Sequence, residues 1–291
     1  MKPCAGASNR QDNQVFKGRT LITTQFFSKQ DFDEPRTRLV GSGQAVFYSH
    51  RAPNKETLNE DSLGLVELDA DSSVLMVADG LGGQPAGATA SEIAVKSLSW
   101  SLQRMDATPR EAILQGFDQA NQQIIENGSG SATTLALVEI RNNQLRPYHV
   151  GDSMIVVTGQ RGKQKLFTVS HSPVGYAVEA GLLDEKEAIS HAQRHLISNV
   201  VGAEDMNISM GSLVKLAPRD TLLLASDGLF DNLYYEEIIA IIRKGTLSAA
   251  AVRLVKLAQQ RMAGKNTEQP CHPDDLSFIL YRPLICSAGG I

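Results

Sequence analysis

From Gln44 the chain becomes a succession of short apolar runs broken by polar turns. Ala45–Tyr48, Leu63–Leu68 and Val74–Ala78 are short enough, and rich enough in branched side chains, to predict strands. The period then changes. Between Ala86 and Leu102, the small or apolar residues Ala90, Ile93, Ala94, Ser97, Leu98 and Ser101 recur every three or four positions, which predicts a helix. A second helix is expected after Thr108, with that residue as cap and Pro109 in the first turn. It carries Ala112, Ile113, Phe117, Ala120 and Ile124.

A strand-rich centre follows. TTLALVEI and QLRPYHV flank Asn142-Asn143 and read as a hairpin. Gly151-Asp152 turns into MIVVTG, and Gln160–Lys163 turns into QKLFTV. Turns this short predict antiparallel neighbours. Ser170 to about Arg194 reads as a helical insert. Strands are expected at His195–Val200, Ile208–Leu216, Thr221–Ala225 and in LSFILY, and helices at Glu236–Arg243 and Ser248–Met262. Residues 1–41 are polar and aperiodic, a partly ordered lead-in to a domain spanning 42–285. VLMVA, TLALV and TLLLA are apolar on both faces, whereas a half-solvated antiparallel sheet would alternate. Two stacked sheets with a helix pair outside each resolve this. The expected fold is an α+β, four-layer α-β-β-α sandwich.

Composition narrows the function. The 291 residues are 42% hydrophobic and 21% charged, with 28 basic and 32 acidic side chains for a net charge of -4. That balance argues against a nucleic-acid or membrane-surface role. No run nears the roughly 18 apolar residues of a membrane helix, and the N-terminal MKPCAGASNRQDNQ lacks a secretory core. Cys4, Cys271 and Cys286 have no metal-ligand spacing and read as free thiols in a reducing cytoplasm.

The chemistry sits where apolar runs meet acids. VLMVA ends at Asp79-Gly80, LLLAS ends at Asp227-Gly228, Asp274-Asp275 opens LSFILY, and Asp152 lies in a turn. One Asp-Gly is an ordinary turn dipeptide. Several at the ends of neighbouring strands gather carboxylates that raise one another's pKa. Oxygen ligands without imidazole or thiolate suit Mg²⁺ or Mn²⁺. Gly80 can present its carbonyl there, and Gly82-Gly83 let the backbone pass close.

These residues resemble the bacterial form of the metal-dependent serine/threonine protein phosphatases of the protein phosphatase 2C family. The motifs run in family order from about Gln44 to Arg282: Asn59-Glu60-Asp61-Ser62, Asp79-Gly80-Leu81-Gly82-Gly83, Ala132-Thr133-Thr134, Gly151-Asp152-Ser153, Ser226-Asp227-Gly228-Leu229-Phe230-Asp231 and Asp274-Asp275-Leu276-Ser277. The resemblance implies the same sandwich and hydrolysis of phosphoserine or phosphothreonine by a water bridging two divalent metals. Asp79 would bridge the metals and Gly80 would lend its carbonyl to one. Asp227 and Asp274 would hold the other, and Asp61 would act through water. Asp152 with Asp227 is a candidate for a third cation. Asp231 reads either as a helix N-cap or as a ligand.

Three departures stand out. The family's phosphate-gripping arginine is replaced by Glu56, leaving Lys55 or Arg51 as substitutes. Leu81 stands where some eukaryotic members carry a histidine, and Asp275 where asparagine is usual. The insert at about 170–194 corresponds to the family's flap. The implied partners are phosphorylated proteins with a cognate Ser/Thr kinase, with no nucleic acid or membrane. The alternatives are a phosphatase of a regulator such as an anti-sigma-factor antagonist, or a degenerate phosphatase that only binds.

Overall fold

The computed structural model describes residues 22–81, 86–104, 108–264 and 269–284. Five strands precede the first helices: β1 (Thr23–Ser28), β2 (Arg36–Val40), β3 (Gly43–His50), β4 (Ser62–Glu67) and β5 (Ser72–Ala78). The two-residue strand β6 (Gly80–Leu81) leads to α1 (Ala86–Gln103) and α2 (Pro109–Glu126). The centre holds β7 (Ala132–Thr133), β8 (Leu135–Arg141), β9 (Gln144–Val150), β10 (Met154–Thr158) and β11 (Gln164–Phe167). After α3 (Pro173–Glu179) and α4 (Glu185–Ile189) come β12 (Ser209–Met210), β13 (Val214–Lys215) and β14 (Thr221–Ala225). The chain closes with α5 (Asp227–Phe230), α6 (Tyr235–Ile242), α7 (Leu247–Met262) and β15 (Leu276–Pro283).

Among the described residues, two large antiparallel sheets stack face to face. One has the order β1-β4-β5-β8-β9-β12, with β13 also on β9. The other has the order β11-β10-β14-β15-β3-β2. The apolar-on-both-faces runs are explained strand by strand. In β5, Leu75 and Val77 join the core between the sheets, while Val74, Met76 and Ala78 pack under α1 and α2. In β8, Ala136 and Val138 face the first core, and Leu135 and Leu137 the second. On the far side, α6 and α7 bury Ile238, Ile242, Leu254 and Ala258 against the second sheet. The expected α-β-β-α sandwich is the fold.

Local rules hold where the chain signals them. Thr108 caps α2 in a reciprocal capping box with Glu111, and Pro109 fills the first turn. Asn142 and Asn143 both adopt positive φ, as a two-residue hairpin turn requires.

Other expectations need correction. Residues 23–40, expected as part of the lead-in, form β1 on the edge of one sheet and β2 on the edge of the other. The folded unit therefore begins before residue 42. Neither strand is deeply buried, and in β2 only Val40 is, so Thr, Gln and Arg dominate and the strand signal is weak. Phe27, Phe32 and Phe47 form an aromatic cluster with centroids 4.9–5.9 Å apart. The Arg36 guanidinium lies 4.0 Å over the Phe32 ring.

The turn at Gly151-Asp152 does not join sheet neighbours. It carries the chain from β9 in one sheet to β10 in the other. His195–Val200 forms no strand; only Val201 makes a bridge, to Thr133. The run Ile208–Leu216 is split into β12 and β13.

Phe32 is only 1% exposed. Phe32→Ala is expected to cost about 3–5 kcal/mol, read as a lower urea midpoint. An unchanged midpoint would show that this segment is not part of the core.

Candidate active site

Strand register gathers the acids. Ser62 of β4 pairs with Ala78 of β5, so Asp61 and Asp79, one residue beyond each strand, emerge side by side. Met154 of β10 pairs with Ala225 of β14, which sets Asp152 beside Asp227. Ala225 pairs in turn with Phe278 of β15, bringing Asp274 to the same edge. The two sheets thus each contribute acids to one end of the sandwich.

The backbone beneath them is fixed by small residues. Asp79 N–H donates to Thr134 Oγ1 at 3.1 Å, and its carbonyl accepts from Thr134 N–H at 2.8 Å and Thr133 Oγ1 at 2.7 Å. Thr134 Oγ1 also meets Ser153 Oγ at 2.7 Å, tying β5 to the turn that holds Asp152. Ser226 Oγ donates to Asp61 Oδ2 at 2.9 Å. Asp61 N–H donates to Asn59 Oδ1 at 2.9 Å. Ser226 and Ser153 stand in the quoted motifs without a role of their own, because a serine at a strand end has many uses. Two glycines are required by space. A Cβ on Gly80 would lie 2.2 Å from the Gly87 carbonyl oxygen, and one on Gly228 would lie 2.0 Å from that of Asp275. Gly82 and Gly83 fall outside the described residues.

The electrostatics are severe. Burial first, then the charges of Asp61, Asp227, Asp274 and Asp152, drive Asp79 well above the carboxylate range. Burial, then Asp274, Asp152 and Asp231, do the same to Asp227, whose carboxyl group lies within hydrogen-bonding reach of that of Asp79. Asp61, fully buried, is pushed up to about 8 by burial and then by Asp275. Asp152 rises to about 7 through burial and the charge of Asp231. Asp274 is raised to about 6, chiefly by burial of its carboxyl group. As a residue it is exposed, so water screens part of that repulsion.

The oxygens themselves indicate what would relieve this. Asp61 Oδ1, Asp152 Oδ1 and Asp227 Oδ1 are shielded from solvent, yet none has a hydrogen-bond donor. An all-oxygen, strongly negative set of this kind fits hard divalent cations. Among the described residues, no group of three or more His, Cys, Asp or Glu side chains is already placed to hold a metal ion.

The other candidates separate from this group. Lys55 Nζ lies 2.7 Å from Asp275 Oδ2 and 2.8 Å from Glu60 Oε2. Arg51 Nε pairs with Asp31 at 3.1 Å, and its Nη1 donates to the Thr57 carbonyl. Both cations of the expected phosphate-gripping loop are thus engaged by protein groups, while Glu56 is exposed. Asp231 is not an N-cap. It follows α5, and its Oδ2 accepts from Arg194 Nε at 2.9 Å.

His171 is buried at the foot of the insert, where its Nδ1 accepts from Gly151 N–H at 3.1 Å. Burial and the stacked His149 push it down to about 4, so it is neutral and structural. A cavity of about 150 Å³ opens beside the acids beneath α3 and α4, lined by Phe167, Val174, Tyr235, Arg194, Asp152 and Asp227. Cys271 is a free thiol. Cys4 and Cys286 lie outside the described residues.

Known proteins share both this fold and parts of this sequence. Residues 48–265 match the family described as Protein phosphatase 2C. A putative protein phosphatase 2C-type of Streptococcus pyogenes serotype M6 is 31% identical over 218 residues, covering 71% of this chain and 88% of that protein. Protein phosphatase PhpP of Streptococcus pneumoniae is 34% identical over 199 residues, covering 65% and 80%. The solved S. agalactiae serine/threonine phosphatase superposes with a TM-score of 0.71 at 28% identity, covering 82% of this chain and 99% of that one. The chain belongs to the protein phosphatase 2C family, and the enzyme class expected from its sequence, a protein serine/threonine phosphatase, stands.

The raised carboxylates set a pH dependence. Their folded pKa values lie above the unfolded value near 4, so from about pH 4 to about pH 8 the folded chain binds more protons than the unfolded one. Stability of the metal-free protein therefore falls as pH rises through that window. Manganese should raise Tm more at pH 8 than at pH 5 in thermal-shift measurements. Equal shifts at both would show that the acids do not govern cation uptake.

Proposed function

We propose that this chain is a divalent-cation-dependent phosphatase acting on phosphoserine and phosphothreonine in other proteins. One observation carries the cation dependence: buried carboxylate oxygens from both sheets face a shared space with no donor to satisfy them. In this reading Asp79, the Gly80 carbonyl, Asp227 and Asp274 would hold the cations, Asp61 would act through water, and Asp152 with Asp227 is the candidate for a third. Mn²⁺ or Mg²⁺ bound there would acidify a water and offset charge building on the phosphoryl oxygens.

The chain's own part is positioning. Thr133 and Thr134 fix the Asp79 backbone, and Ser226 orients the Asp61 carboxylate. The hydroxyls of Ser226 and Ser153 are engaged by Asp61 and Thr134, and no side-chain nucleophile is invoked. The insert carrying α3 and α4 overhangs the acids and meets the protein substrate. Among the described residues, no helix is long and apolar enough to cross a membrane. A cytoplasmic enzyme opposing a Ser/Thr kinase is consistent with that and with the free thiol of Cys271.

Asp79→Asn should lower manganese-dependent phosphate release from a phosphothreonine peptide by more than about a hundredfold, with the circular dichroism spectrum retained. A folded variant with wild-type turnover would refute the assignment.

A further inference from the structure

Lys55 sits beside the position where the resemblance places a phosphate-gripping arginine, yet its ammonium group faces the protein. Its Nζ bridges Asp275 Oδ2 at 2.7 Å and Glu60 Oε2 at 2.8 Å, with the side chain 19% exposed. Burial alone would lower its pKa. The bonds to Asp275 and Glu60 outweigh that and raise it above the ordinary lysine value, so it stays charged.

Asp275 is 3% exposed and fully engaged. Besides Lys55, it accepts from Ala52 N–H at 2.8 Å and Glu60 N–H at 2.7 Å. One carboxylate therefore pins the loop at residues 52–60, which leads directly into Asp61, onto the segment that carries Asp274. Glu60 extends the clamp to the remaining acid. A Cβ on Gly87 would come within 2.4 Å of its Oε1, and one on Gly80 within 2.8 Å of its carbonyl oxygen. Glu60 is thus pressed against the contact between Gly80 and the first turn of α1, immediately beside Asp79.

We propose that Lys55 is a positioning residue. By joining Asp275 and Glu60 it sets the spacing of Asp61, Asp79 and Asp274, and being held there it does not grip substrate phosphate. The pairing also explains the acid at position 275. An aspartate buried there needs a cation, and Lys55 supplies it; removing one partner of a buried pair leaves the other uncompensated. The substrate's phosphoryl group is then held without a basic side chain from this loop. That last point rests on the phosphatase reading; the clamp itself does not.

The test is a double-mutant cycle on the full chain: Lys55→Met, Asp275→Asn and both together. The readouts are Tm without metal, the manganese concentration at half-maximal thermal shift, and KM against kcat for a phosphothreonine peptide. Lys55→Met removes a positive charge near the acids, so electrostatics alone would tighten manganese binding. Positioning predicts the opposite: a Tm lower by about 5 °C and manganese binding weakened about tenfold. The double variant should recover at least half of both losses, with KM within about twofold of wild type.

The clamp is overturned if Lys55→Met tightens manganese or leaves it unchanged, or if the double variant recovers nothing. A KM raised about tenfold or more in both Lys55→Met and the double variant, with Tm unchanged, would instead make Lys55 the phosphate grip. If Lys55→Met does not fold, Lys55→Arg and the double variant carry the comparison. If wild-type protein hydrolyses no phosphopeptide, the phosphatase reading fails, while the Tm and manganese readouts still decide the clamp.

Discussion

Repulsion among carboxylates is the constraint that organises this molecule. Five aspartates, at positions 61, 79, 152, 227 and 274, are brought to one end of two stacked sheets, and their charges act on one another. Left alone, such a cluster would push the sheets apart or hold protons at neutral pH. The scaffold resists because each acid lies one or a few residues beyond a strand whose register is fixed by a fully apolar, two-sided core. Slipping any of these strands by one residue would exchange its two faces, and both faces are buried, so the acids cannot easily retreat.

The support immediately around the acids is made of small polar groups and close backbone contacts. Thr133 donates to the Asp79 carbonyl, Thr134 accepts from Asp79 N–H and pairs with the Ser153 hydroxyl, and Ser226 donates to the Asp61 carboxylate. Gly80 and Gly228 allow contacts that any side chain would block. Hydroxyls suit this task because they donate and accept without adding charge. The positive charges of Lys55 and Arg194 are committed to Asp275 and Glu60 and to Asp231.

Much of this was legible in the chain. The strand ends at Asp79 and Asp227 are marked by an abrupt change from apolar run to acid and glycine, and the fold follows from strands with no polar face. What escaped is physically consistent. β1 and β2 are partly to largely exposed edge strands, so their composition resembles a loop. The Gly151-Asp152 turn looks like a hairpin because local sequence does not encode which sheet the next strand joins. The engagement of Lys55 and Arg51 depends on Asp275, Glu60 and Asp31, whose proximity is created only by the fold. Asp231 reads as an N-cap or a ligand from its spacing, but it follows α5, and Arg194 reaches it from far along the chain.

The passage of the chain from β9 to β10 places Asp152 on the seam between the sheets. The acids on either side come from residues as far apart as Asp61 and Asp274. No hairpin or half-sandwich contains them all. Each sheet alone gathers only part of the set, Asp61 and Asp79 on one and Asp152, Asp227 and Asp274 on the other, so the full repulsion needs both sheets in place. The cation site proposed for the seam would thus be a property of the completed sandwich, since neither sheet alone supplies all of its acids.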